Sequence, residues 1–181
     1  MNNLQTLLIV ADSQLNRELL MEILGTDYRY LQAEDGQQAI DILRGNPAVD
    51  LMLLDMVMPG LDGCGVLEIM QRYDWLDEIP VIVISADQSD AFMDRAYSLG
   101  ATDYISRPFD CMVVRRRVVN ALILAAKQKR LMRLAAEQIY EKEKISDLMI
   151  NIFSHIVEFR NGESGSHVLH IRTITEVLLN R

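Results

Sequence analysis

Val49-Asp50-Leu51-Met52-Leu53-Leu54-Asp55-Met56-Val57-Met58-Pro59-Gly60 decides the fold of this chain. Its apolar run, bounded by Asp50 and Asp55, reads as a strand covered on both faces, the pattern of a parallel sheet. Asp55 closes that strand just before a Pro59-Gly60 turn. A carboxylate there occupies the end at which open α/β sheets place their ligand sites. Three other segments end alike. Leu7-Leu8-Ile9-Val10 runs into Ala11-Asp12, Val81-Ile82-Val83-Ile84 into Ser85-Ala86-Asp87, and Ala101 to Ile105 into Ser106-Arg107-Pro108. Two carboxylates, a hydroxyl and a cation at one sheet edge suggest a site for a metal ion and a phosphoryl group.

Outward from that stretch, short apolar runs alternate with helical periodicity from residue 6 to about 110. The pattern predicts strands near 6–11, 29–33, 50–55, 80–85 and 102–105. Helices fall near 14–25, 36–45, 63–73 and 89–99, and a fifth opens near 109. Ser13 and Ser89 are placed to cap helix N-termini, Gly25 and Gly100 to close C-termini. Five strands alternating with five helices give a doubly wound α/β domain. Right-handed crossovers gather the strand C-termini at one edge.

The fifth helix has no proline or glycine to end it between Phe109 and Arg160. Leu124, Leu131, Leu134, Ile145, Leu148 and Ile152 share the a and d positions of one heptad register, interrupted by Lys127, Gln138 and Glu141. A short, imperfect coiled coil that dimerises is the expectation; a helix folding back on its own domain is the alternative. The expected divisions are residues 1–125, a helical linker at 126–160, and a final segment at 161–181.

Half of the 181 residues are hydrophobic, enough for a packed core. Residues 1–110 carry 6 basic and 19 acidic side chains, a net of −13; residues 111–181 carry 12 and 7, a net of +5. Cys64 and Cys111 form no ligand spacing and no disulfide framework, which favours a cytoplasmic setting. No apolar stretch reaches the roughly 18 residues of a membrane span, and the N-terminus lacks the basic region of a secretory signal. The basic cluster Arg115, Arg116, Arg117, Lys127, Lys129, Arg130 and Arg133 is spread around a helix without aromatic interleaving. It reads as a solvated face, or one paired with acidic groups, rather than a nucleic-acid surface.

Mg²⁺ takes hard oxygen ligands, often one or two carboxylates with phosphate oxygens and water, and Asp12 and Asp55 supply two. A carboxylate beside the metal can act as a nucleophile and form an aspartyl phosphate. Ser85 and Arg107 are placed to hold oxygens of the transferred group.

On these residues, 5–125 resemble the receiver domain of two-component response regulators. The matching text is Leu8-Ile9-Val10-Ala11-Asp12-Ser13, Leu54-Asp55-Met56-Val57-Met58-Pro59-Gly60-Leu61-Asp62-Gly63, Pro80 to Ala86, and Gly100 to Phe109. The resemblance implies a flavodoxin-like, five-stranded parallel sheet and phosphorylation of Asp55 by a sensor histidine kinase. It also implies Mg²⁺ on Asp12, Asp55 and the backbone carbonyl of Val57. Ser85 would move toward the phosphate and let Tyr104 turn inward, biasing the face made by the fourth helix, fifth strand and fifth helix. Two positions depart from the family pattern. Ala11 replaces the first member of an acidic pair, and Arg107 stands where lysine is usual. Arginine is planar and pairs readily with carboxylates, so an Arg107–Asp55 clamp and weakened Mg²⁺ binding are expected. The alternative is a phosphorylation-independent pseudo-receiver serving as an interaction module.

The segment Arg160-Asn161-Gly162-Glu163-Ser164-Gly165-Ser166-His167, with Arg172 after it, resembles the first motif of HD-GYP domains, a family that contains cyclic di-GMP phosphodiesterases. By that resemblance, Glu163 and His167 would be two ligands of a metal site whose remaining parts are absent, in a truncated output domain. No His-Asp pair and no Gly-Tyr-Pro occur, so no turnover is expected of this chain alone. An adaptor or DNA-binding regulator is the remaining reading.

Overall fold

The computed structural model describes residues 4–45, 48–86 and 89–161. Five parallel strands, β1 (Thr6–Val10), β2 (Arg29–Ala33), β3 (Leu51–Asp55), β4 (Val81–Ser85) and β5 (Asp103–Ser106), form one sheet in the order β2-β1-β3-β4-β5. They alternate with α1 (Gln14–Leu24), α2 (Gly36–Gly45), α3 (Gly63–Arg72), α4 (Asp90–Ser98) and α5 (Cys111–Asn161), with a 3-10 turn at Trp75–Asp77. This is the flavodoxin-like doubly wound order, which reverses direction between β1 and β3. The turns carrying Asp12 and Asp55 flank that switch point.

Coverage of both sheet faces explains the unbroken apolar runs Leu7–Val10, Leu51–Leu54 and Val81–Ile84 of β1, β3 and β4: each of these side chains meets a helical layer. Leu7, Ile9, Leu51, Leu53, Ile82, Ile84 and Ile105 pack with Leu20, Ile23 and Leu24 of α1 and with Val114, Val118, Ala121 and Leu122 of α5. Leu8, Val10, Met52, Leu54, Val81 and Val83 face Ala39, Ile40 and Leu43 of α2, Val66, Leu67 and Met70 of α3, and Ala96 of α4. A one-residue slip would exchange these two sets.

The caps follow from local chemistry. Ser13 accepts the Asn16 amide at 3.4 Å, and Asp62 accepts the Gly65 amide at 2.8 Å at the start of α3. Ser89 stands at the N-cap of α4 without a side-chain cap bond. Gly25 and Gly100 follow their helices with positive φ.

The chain divides into two units between Lys129 and Arg130. In the second, the described part is helix. Leu131, Leu134, Ile145, Leu148 and Ile152 are all exposed, between 43% and 67%. No helix among the described residues is long and apolar enough to cross a membrane. Of the expected final segment only Asn161, the last residue of α5, is described; Glu163, His167 and Arg172 lie outside the described residues.

Candidate phosphoryl-acceptor site

Asp55 ends β3 with its side chain 1% exposed. One oxygen is held on two sides: Oδ1 accepts the Val57 amide at 3.2 Å and Nη2 of Arg107 at 3.1 Å. The other, Oδ2, is buried and accepts no hydrogen bond among the described residues; Nε of Arg107 is likewise buried without an acceptor. Burial is the main influence on the acid, and it raises the carboxyl pKa. The Val57 amide and Arg107 oppose that shift, while Asp12 adds to it. The result is a carboxylate held in place through one oxygen, with the second meeting no hydrogen-bond donor among the described residues.

The neighbouring strand ends assemble around it. Ser85, 1% exposed, closes β4; its carbonyl accepts the Arg107 amide at 2.9 Å, and it stands opposite Ser106 in register. The Met56 amide donates to the Ile84 carbonyl at 3.1 Å, fixing the start of the β3 turn. Gly63 is required here: a Cβ on it would lie 2.7 Å from the Asp55 carbonyl oxygen and from the Met56 Cα. Val57 is 69% exposed on the turn above Asp55. Tyr104 lies on β5, half-buried, two residues before Ser106.

Asp12 is exposed, and its Oδ1 accepts the Ser13 amide at 2.7 Å. Beneath it lies a group that strand-end reasoning missed. Arg17 is 5% exposed, and its Nη1 donates to the Ala11 carbonyl at 2.6 Å and the Asp12 carbonyl at 3.3 Å. Its Nε donates to Gln32 at 3.2 Å, and its Nη2 meets Glu34 at 3.5 Å. Arg17 thus ties the β1 turn to the end of β2. The available signal was spacing: Arg17, Leu20 and Leu24 share the inward stripe of α1.

The donor set is compatible with a hard cation. Asp12, Asp55 and the Val57 carbonyl offer oxygen donors of the kind Mg²⁺ takes while keeping several waters. Among the described residues no group of three or more His, Cys, Asp and Glu side chains could hold a metal. Of the two carboxylates Asp12 and Asp55, the second already carries the Arg107 cation, at 3.1 Å.

Residues 7–119 match the family model of the response regulator receiver domain. A Vibrio cholerae protein named a probable cyclic di-GMP phosphodiesterase is 29% identical over 97% of this chain and 41% of its own length. The sporulation initiation phosphotransferase F of Bacillus subtilis is 37% identical over 66% of this chain and 95% of its own. The structure of chemotaxis protein CheY4 from Vibrio cholerae superposes with a TM-score of 0.60 at 20% identity, covering 66% of this chain and 99% of that one, a likeness of fold. The chain spans about two fifths of the first relative's length. The family match, the β2-β1-β3-β4-β5 sheet and the acids flanking its switch point agree, and the chain belongs to the response regulator receiver domain family.

Proposed function

We propose that Asp55 accepts a phosphoryl group from a phosphohistidine of a sensor histidine kinase, and that α5 passes the change to an HD-GYP-type cyclic di-GMP phosphodiesterase output. The observation that carries the first part is the asymmetry of Asp55. Arg107 and the Val57 amide fix Oδ1, which leaves the buried Oδ2 as the nucleophile. In the transfer, Oδ2 forms a bond to phosphorus as the phosphorus–nitrogen bond of the donor breaks; the departing imidazole takes up a proton. Arg107, adjacent to Asp55, would then pair with a phosphoryl oxygen, and the Ser85 hydroxyl would donate to another. Mg²⁺, held by Asp12, Asp55 and the Val57 carbonyl, would supply charge neutralisation to the transferred group.

Support for the output comes from two sides. The likeness to the Vibrio cholerae protein runs over 97% of the chain, well past the receiver match at residue 119. The tail from Arg160 to Arg172 resembles the HD-GYP opening motif, with Glu163 and His167 as ligands of its metal. On this reading 1–125 is the receiver, 126–160 a helical linker and 161–181 the start of the output domain. Two copies would join along the exposed Leu131, Leu134, Ile145, Leu148 and Ile152 seam, since a helix leaving such a row in water gains by covering it.

One observation favours a second reading. With Ala11 in place of an acid and Arg107 already on Asp55 at 3.1 Å, the ion pair alone can fix one conformation, as a pseudo-receiver would. Intact-mass measurement after incubation with a small phosphoryl donor and Mg²⁺ separates the two. One added phosphoryl group, lost in Asp55→Asn, supports the acceptor; no addition at high Mg²⁺ supports the pseudo-receiver.

A further inference from the structure

β5 is the terminal strand of the sheet, and the charges wrapping its edge are engaged with one another. Asp103 and Tyr104 are consecutive in the strand, so their side chains leave opposite faces. Tyr104 packs with the α2–α3–α4 layer, whereas Ile105 packs with α1 and α5. Arg117 of α5 reaches both faces around the open edge. Its Nη1 donates to Oδ1 of Asp103, and its guanidinium lies over the Tyr104 ring, 5.6 Å from the centroid. The same Asp103 oxygen accepts the Tyr104 amide at 2.8 Å. Tyr97 of α4 lies within electrostatic reach of all three; burial first, and Asp103 next, push its hydroxyl pKa up.

Register places Tyr104 opposite Val83 and Ser106 opposite Ser85. Tyr104 and Ser85 therefore share a sheet face as diagonal neighbours, and a ring turning inward would travel along that face toward Ser85.

We infer that Arg117 is a positioning residue for Tyr104: it holds the ring at the sheet edge and opposes its movement toward Ser85. The inference rests on the phosphoryl-acceptor reading and specifies its regulation. Asp103 retains the guanidinium whichever way the ring lies, but the ring contact exists only in the edge position. A contact made in one state alone shifts the equilibrium toward that state by its own free energy. A phosphoryl group on Asp55 that draws Ser85 and then Tyr104 inward must overcome it. Removing Arg117 should therefore let the unphosphorylated chain sample the inward state more often. Lysine can keep the charge near Asp103 but lacks the planar group that covers a ring, so it should restore the hold only in part.

The test is aromatic NMR on the full chain with labelled tyrosine, assigned with Tyr104→Phe, alongside phosphorylation by a small donor. The variants are Arg117→Ala and Arg117→Lys. In unphosphorylated Arg117→Ala, new nuclear Overhauser contacts between the Tyr104 ring and the Ser85 side chain should appear. Its phosphorylation rate should rise about two- to fivefold, the shift expected from a partly exposed cation–ring contact. Arg117→Lys should fall between Arg117→Ala and the parent on both readouts. Unchanged Tyr104 contacts with an unchanged rate would overturn the inference. So would a fall in stability with no change in ring position, because that marks Arg117 as a structural tie only. A parent chain that takes no phosphoryl group would refute the acceptor reading instead, and the ring contacts of the unphosphorylated variants would still decide the role of Arg117.

Discussion

Asp55→Asn should stabilise this protein at neutral pH, and the gain should fade in acid. The Asp55 carboxylate is 1% exposed, with Oδ1 shared between Arg107 and the Val57 amide and Oδ2 buried without a donor among the described residues. A buried acceptor without a partner costs about 1–3 kcal/mol, more when charged. Asparagine keeps an oxygen for Arg107 and Val57 while removing the charge, so part of the charge-assisted bond is lost against that relief. A net gain of about 1–2 kcal/mol is expected, which for a domain of this size raises Tm by about 4–10 °C. The sign with pH follows from the raised carboxyl pKa. The folded chain binds this proton more tightly than the unfolded chain does. The parent's contribution from Asp55 is thus fully present below the unfolded carboxylate value, about 3.9, and is lost as pH rises through the folded value. The advantage of Asp55→Asn should be largest at pH 7 and nearly gone below about pH 4. Thermal unfolding by circular dichroism across that range, without divalent ions, measures it. An Asp55→Asn variant less stable than the parent at pH 7, or an advantage independent of pH, would refute the account of Asp55 as a buried, half-satisfied charge.

Other consequences can be checked separately. Restoring the acid and the smaller cation in Ala11→Asp, Arg107→Lys should tighten Mg²⁺ binding about tenfold or more, since one further negative charge beside a divalent ion is worth on the order of 2 kcal/mol even near solvent; calorimetric titration reads it, and equal affinities would count against the assignment. Arg17→Ala leaves the Ala11 and Asp12 carbonyls and Gln32 without their donor and should cost about 2–4 kcal/mol in denaturant unfolding. Leu134→Asp with Ile145→Asp should abolish self-association in sedimentation velocity while leaving phosphoryl acceptance intact; unchanged association would place any pairing surface elsewhere.

The fold was legible because its strongest signal is one of period and length. β1, β3 and β4 read as continuous apolar runs because both sheet faces are covered, and the structure places them within a residue of the expected 6–11, 50–55 and 80–85. β2 at the edge of the sheet carries a weaker signal, because Arg29 and Gln32 are exposed and only Ala33 is fully buried. The Arg107–Asp55 pair could be anticipated because two strand ends, fifty-two residues apart, had to meet at one edge. What stayed hidden depends on direction rather than composition. Arg115, Arg116 and Arg117 are consecutive and chemically alike, yet each points about 100° from the last around the helix axis. Arg115 reaches the Ile23 carbonyl at 2.5 Å and Arg117 meets Asp103. The cluster read as a solvated face, or one paired with acidic groups, is in part a set of specific ties, of which Arg117–Asp103 is an acidic pairing. Arg17 was overlooked for a related reason: a lone arginine reads as surface until the turn it supports is in place.

The central claim is that the Asp55 carboxylate is the group that takes the phosphoryl group. Its most direct test is reduction with borohydride after exposure to a small phosphoryl donor, followed by peptide mapping, because an acyl phosphate is reduced where a free carboxylate is not. The account predicts homoserine at position 55, dependent on the donor and absent at Asp12 and Asp62. Homoserine at another acid, or none anywhere under donor and Mg²⁺, would contradict it.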